Sequence, residues 1–111
     1  MLDIHVLETN QVAVVEAQGR IDSATASDLG DALTGVIDDG HHQIVLDVAG
    51  VDYMSSAGLR EIVAALKKVR NSSGDLRIAR VTERVYDVLE LSGLNTLLQI
   101  FDSQAEAVSS F

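Results

Sequence analysis

The chain has 111 residues and a net charge of −9, from 17 acidic and 8 basic side chains. That length suits one domain with one core, and the acid excess argues against nucleic acid or an anionic membrane surface as partner, since both need a basic footprint. The absence of cysteine excludes disulfides, a thiolate nucleophile and a Cys-based metal site. No apolar run approaches the ~20 residues of a membrane span, and no basic-then-apolar leader follows Met1. A single domain over 1–111 is expected, with no cofactor and a cytoplasmic location.

Leu2 to Val6 alternates apolar and polar residues, the period of a half-buried strand, and Glu8 to Gln11 reads as a turn. Val12 to Ala17 forms a second strand, hairpinned with the first. After Gly19-Arg20-Ile21-Asp22, a helical stripe runs through Ala26, Leu29, Leu33, Val36 and Ile37. Thr25 or Ser23 is the expected cap at its start and Gly40 its stop.

Ile44 to Val48 is nearly continuous and β-branched, as in a strand covered on both faces of a parallel sheet. Asp52 to Arg60 then reads as the turn from this strand into a helix whose stripe is Leu59, Ile62, Val63, Leu66 and Val69. Basic Lys67, Lys68 and Arg70 near the end of that helix suit its dipole, and Asn71 to Gly74 stops it. Leu76 to Ala79 is a fourth strand. Thr82 opens a helix with Val85, Val88 and Leu89 inward, closing at Ser92-Gly93. Leu97 to Phe101 is a fifth strand, and Ser103 with Glu106 makes a capping-box pattern at a last helix.

Strands alternating with helices predict an α/β fold with a mixed, mostly parallel sheet of about five strands and about four helices. Sites on such sheets gather at the carboxyl ends of the strands. Asp52 to Arg60 lies at one such end, Gly19 to Ser23 at another, and Arg80 to Thr82 completes the same rim. Ser55 and Ser56 stand where the N–H groups of a new helix lack partners. Chemistry alone favours a serine there as a cap, but a phosphate would also meet the positive end of the dipole. Asp47, inside a buried strand, is expected to be hydrogen-bonded and structural. Ser55 and Ser56 fail the G-x-S-x-G pattern of a nucleophile elbow, and His5, His41 and His42 have no evident route to them. No metal spacing, Walker motif or G-x-G-x-x-G is present, so the chain is not expected to be an enzyme.

Met54-Ser55-Ser56-Ala57-Gly58-Leu59 after a short strand resembles the phosphoacceptor loop of the STAS domain, the fold of bacterial anti-sigma factor antagonists. Gly19 to Asp22, Val85 to Leu94 and Ile100 to Ala107 resemble other parts of that family in matching order, so the resemblance spans nearly the whole chain. It implies a module that binds an anti-sigma factor with serine kinase activity when unphosphorylated, releasing the sigma factor. Serine phosphorylation then breaks the complex, and a PP2C-type phosphatase resets it. Aligned on Met54 and Gly58, the acceptor falls on Ser56, with Ser55 as second choice because it replaces the family's common Asp. Asp22, Met54, Ser55, Ala57, Gly58, Leu59 and Arg60 are the expected partner-contact residues, with Arg60 also placed to reach a phosphate. The alternative implied role is a free-standing accessory subunit of an ABC-type transporter or a signalling scaffold.

Overall fold

The computed structural model describes residues 2–111. Its elements in chain order are β1 (Leu2–Thr9), β2 (Val12–Ile21), α1 (Ala26–Asp38), β3 (Gln43–Met54), α2 (Ser56–Arg70), β4 (Asp75–Ala79), α3 (Glu83–Leu91), a 3-10 turn (Leu94–Thr96), β5 (Ile100–Phe101) and α4 (Gln104–Ser109). The five strands make one sheet in the order β1-β2-β3-β4-β5, with β1 antiparallel to β2 and the other neighbours parallel. This is the mixed α/β sheet with four helices that the alternation of periods predicts.

Strand parity divides the core. Ala13, Val15 and Ala17 of β2, Ile44, Leu46 and Val48 of β3, and Leu76 and Ile78 of β4 pack toward α1, α2 and α3. The main cluster also takes in Leu29 and Leu33 of α1, Ile62, Leu66 and Val69 of α2, and Val85 and Leu89 of α3. The alternate residues Val12, Val14, Val45 and Ala79 form a smaller cluster with Ala107 and Val108 of α4. Both faces of β3 are therefore dry, which is why its sequence is so continuously apolar.

Three expectations are corrected. First, β3 does not end at Val48. It runs on through Ala49–Met54, held to β2 across two register shifts, so Asp52, Tyr53 and Met54 are strand residues rather than turn. Second, β5 is only Ile100–Phe101. Leu98 is 4% exposed and plugs the main core from the end of the 3-10 turn, so its apolar character reflects burial without strand geometry. Third, α1 is not capped by a Thr25 or Ser23 side chain; Thr25 occupies the N-cap position without a side-chain cap bond. The Asp22 carboxylate takes the N–H groups of Ala24 and Thr25 instead. Gly40 does stop α1, with φ +97, a conformation that only glycine adopts cheaply. Among the described residues no helix is long and apolar enough to cross a membrane.

Candidate functional site

The rim is built where β2 and β3 end side by side. Ile21 and Met54 are register partners, and the N–H of Ser55 donates to the carbonyl of Ile21 at 2.8 Å. That bond closes the sheet at the point where the chain turns into α2. Ser55 is extended (φ −88, ψ 170) and sits at the N-cap; its Oγ accepts from Gly58 N at 3.3 Å, and its carbonyl accepts from Leu59 N at 3.1 Å. The two serines are thereby separated. Ser55 is half-buried and its hydroxyl is engaged. Ser56, the first residue of the helix, is exposed. Beyond the cap, the N–H groups of Ser56 and Ala57 have no acceptor within the helix, by their position in its first turn.

Gly58 explains how tightly this turn lies on the sheet. A Cβ at Gly58 would stand 2.5 Å from Ile21 Cγ2 and 2.6 Å from Met54 Sδ. The helix start thus rests directly on the last inward residues of β2 and β3. Met54 and Leu59, expected as contact surface, are 3% and 8% exposed and belong to the core, and Gly58 is buried between them. They fix the loop from beneath because the strand's parity turns Met54 inward and the helix stripe turns Leu59 the same way. Of the expected set, Ser56 and Arg60 are exposed, while Ala57 and Asp22 are half-buried. Ser56 and Arg60 are four apart on α2 and so share one helix face.

Asp22 organises the neighbouring loop. Its Oδ1 accepts from Ala24 N at 2.9 Å and Thr25 N at 3.1 Å, its own N–H donates to Thr25 Oγ1 at 2.9 Å, and the Thr25 hydroxyl donates to the Arg20 carbonyl at 2.8 Å. The Ala24 N–H holds the carboxyl below the usual aspartate range; desolvation opposes it, and the bonds from Thr25 and the Arg20 side chain add to the lowering.

Arg20 and Tyr53 lie within the two expected rim segments, but neither is among the expected contact residues. They are register partners on β2 and β3, with the Arg20 guanidinium 4.0 Å from the Tyr53 ring centroid and 3.2 Å from Asp22 Oδ2. A β3 continued to Met54 would have revealed the pair, since it places Tyr53 beside Arg20. The rim also extends to α3: Thr82 caps that helix through Val85 N at 3.3 Å and donates to the Val51 carbonyl at 3.2 Å. Asp52 shares a shallow cleft there with Thr82, Glu83 and Arg84.

His41 and His42 lie in the turn before β3, at the other end of its twelve residues from Ser56. His41 pairs with Glu8 at 3.4 Å. Among the described residues no side chain hydrogen-bonds to the Ser56 hydroxyl, and no three acidic or histidine side chains converge as a metal site requires. The arrangement offers an exposed hydroxyl on a rigid strand-to-helix turn, with open helix N–H groups beside it. Such a site can receive a group, and among the described residues no side-chain base is hydrogen-bonded to the Ser56 hydroxyl.

Residues 3–107 match the family model of the STAS domain. The chain is similar to BtrV of Bordetella bronchiseptica, a protein assigned to the anti-sigma factor antagonists, with 34% identity over 94 residues covering 85% of this chain and 81% of BtrV. Among solved structures, an anti-sigma factor antagonist from Mycobacterium paratuberculosis superposes with a TM-score of 0.91, at 24% identity, over 99% of this chain and 93% of that one. SpoIIAA superposes in its unphosphorylated form with a TM-score of 0.84 at 16% identity, covering 97% of this chain and 95% of that one. Its phosphorylated form gives 0.76 at 15% identity, covering 97% and 98%. At those identities the structural likenesses speak for the fold.

Proposed function

The chain belongs to the STAS domain family, and we propose that it is an anti-sigma factor antagonist whose switch is phosphorylation of Ser56. The observation that carries the site is the separation of the two serines, Ser55 spent on the helix cap and Ser56 exposed one residue on. In the unphosphorylated state the rim presents a small neutral hydroxyl, and an anti-sigma factor with serine kinase activity closes over it. The sigma factor that it held is released.

Transfer then follows from what the site lacks. The base that takes the Ser56 hydroxyl proton comes from the kinase, while Ser56 Oγ attacks the γ-phosphorus of ATP and ADP leaves. The product carries about −1.5 to −2 charges at the start of α2. The open N–H groups and the helix dipole tolerate that charge, so the fold is kept. That SpoIIAA, with the same fold, has been solved both unphosphorylated and phosphorylated supports such tolerance. A partner surface shaped around a hydroxyl loses fit and must desolvate a dianion, so the complex parts by local charge and shape. A PP2C-type phosphatase restores the hydroxyl.

The test is incubation with the cognate kinase and ATP followed by mass mapping. One phosphate is expected, on Ser56. Modification of Ser55 alone, or none with a kinase that binds the protein, would sink the assignment. Ser56→Ala is expected to hold the partner persistently and Ser56→Asp to bind at least about tenfold more weakly, or about 1.4 kcal/mol. Both variants should keep the wild-type circular dichroism spectrum; an unfolded Ser56→Asp would contradict a local switch.

A further inference from the structure

The sheet has one long open edge. In the order β1-β2-β3-β4-β5, β1 has a neighbour on one side only, and the opposite edge, β5, is Ile100–Phe101 alone. Natural proteins blunt such edges by shortness, by proline or lysine, or by a bulge. β1 has eight residues, contains neither proline nor lysine, and keeps register with β2 without a shift, from Leu2 opposite Gly19 to Thr9 opposite Val12. Val6 and Leu7 on it are 51% and 45% exposed.

The hairpin fixes which backbone groups of this edge are free. Thr9 and Val12 flank a two-residue loop, so they form a pair that exchanges both N–H···O bonds. Alternation gives Leu7, His5 and Asp3 the same bonding to β2. The N–H and C=O groups of Leu2, Ile4, Val6 and Glu8 therefore point outward, and among the described residues no backbone group outside the sheet bonds to them.

We infer that this edge pairs with β1 of a second copy, antiparallel about a two-fold axis through Ile4. An axis normal to the sheet sets opposed residues on the same face, so even-numbered residues meet even and odd meet odd. Ile4 then meets Ile4, Leu2 meets Val6, and the outward groups of all three residues find partners. On the other face Asp3 meets His5 at the closer spacing of a non-hydrogen-bonded pair, about 4.5 Å between Cα atoms. An imidazole N–H donates to a carboxylate there, once in each half of the dimer. A centre at Asp3 would set that carboxylate against itself. A centre at His5 or Val6 would lose the Asp3–His5 pairs and set Glu8 against Leu2 or Ile4.

A strand of another protein would satisfy the same backbone groups, but the reciprocal Asp3–His5 match belongs to a second copy. The contact closes on itself and stops at two. Leu2 to Val6 alone fall short of the ~800 Å² that each partner brings to a standard interface, so the dimer is weak. The edge is also distinct from the Ser56 rim. β2 lies between it and β3, whose end carries the turn into α2, and Ile4 lies opposite Ala17, about 13 Å along the strand from Ile21.

The experiment follows sedimentation and amide hydrogen exchange of the unphosphorylated full chain from micromolar to millimolar concentration. Dimers are expected at the upper end, with the Ile4 and Val6 amides gaining protection while the outward amide of Glu8 stays open. Asp3→Lys sets a cation against His5 and should weaken association at least about tenfold, even though it lowers the net charge. Adding His5→Asp to Asp3→Lys restores opposite partners and should recover most of that loss. Ser56→Asp should associate like wild type, so the outcome does not depend on the phosphorylation site. A chain that is monomeric at millimolar concentration, or an Asp3→Lys variant that associates like wild type, would overturn the inference. So would protection of Glu8 together with Ile4, failure of the double variant to recover, or loss of association in Ser56→Asp.

Discussion

Asp22 shows how one carboxylate can shape a loop without touching the reacting group. It gathers the N–H groups of Ala24 and Thr25 and takes an ion pair from Arg20, which itself lies over Tyr53. The N–H bonds depress its pKa, so its contribution to stability is complete above the ordinary aspartate value of 3.8 and is lost as pH falls through the lower folded value. Asp22→Ala is therefore expected to be less stable than wild type at neutral pH. The gap should begin to narrow only near pH 3.8 and should close below it. Urea midpoints for both proteins between pH 2.5 and 7 measure this; a gap that persists undiminished at the acid end would contradict the cap. Legibility at this scale was uneven. The order of elements places Ser55, Ser56 and Asp22 on the rim, but which hydroxyl bonds Gly58 N depends on the backbone geometry of the turn, where Ser55 takes the cap. A serine next to a serine reads as two candidates until a cap distance distinguishes them.

At the scale of elements, periodicity located the helices because their buried stripes recur every three or four residues. It failed at strand ends. Ala49-Gly50 interrupts the apolar run of β3, yet register with β2 carries the strand to Met54. Leu98 reads as part of a strand because an apolar residue plugs a core as readily from a turn. The β1–β2 hairpin gives a test of local chemistry. Thr9 and Val12 are partners across a two-residue loop in which Asn10 and Gln11 have φ of 52 and 68. Left-handed backbone at both positions is the I′ pattern, which favours glycine second. Asn tolerates it, whereas Gln is strained. Gln11→Gly is expected to stabilise the domain by about 0.5–1 kcal/mol, the relief of strain outweighing the added freedom of the unfolded chain. Differential scanning calorimetry should show Tm higher by about 2–4 °C. A lower Tm would mean that the Gln11 side chain contributes more than its backbone costs.

On the whole molecule, the sheet face under α4 poses an electrostatic problem that four elements solve together. Glu16 and Asp47 are register partners on β2 and β3, so two carboxylates stand side by side, and Asp47 is 2% exposed. Like charges directly opposite each other destabilise a sheet. Gln104 of α4 offers its amide N–H groups to both carboxylates, the bond to Asp47 Oδ2 being 2.6 Å. Arg80, just past β4, supplies the cation, with Nη2 2.7 Å and Nε 2.9 Å from Asp47 Oδ2, and its guanidinium is held still more firmly protonated by that bond. It reaches them from a backbone at φ +57, a strained position for a side chain other than glycine's. The partners are unequal, since the Arg80 side chain is 47% exposed and can turn to water while the aspartate cannot. Arg80→Ala should therefore cost about 2 kcal/mol, mostly from a buried charge left without its cation. Replacing Asp47 by Asn keeps the volume and an acceptor for Ala49 N, now at 2.9 Å, while removing the charge. The double variant Arg80→Ala/Asp47→Asn is then expected to recover about 1 kcal/mol relative to Arg80→Ala alone. Alanine meets the same φ in both, so that strain cancels in the comparison. Urea unfolding of the four proteins closes the cycle. Additive losses would show that Arg80 acts through packing alone, and that the paired carboxylates are balanced by Gln104 and solvent.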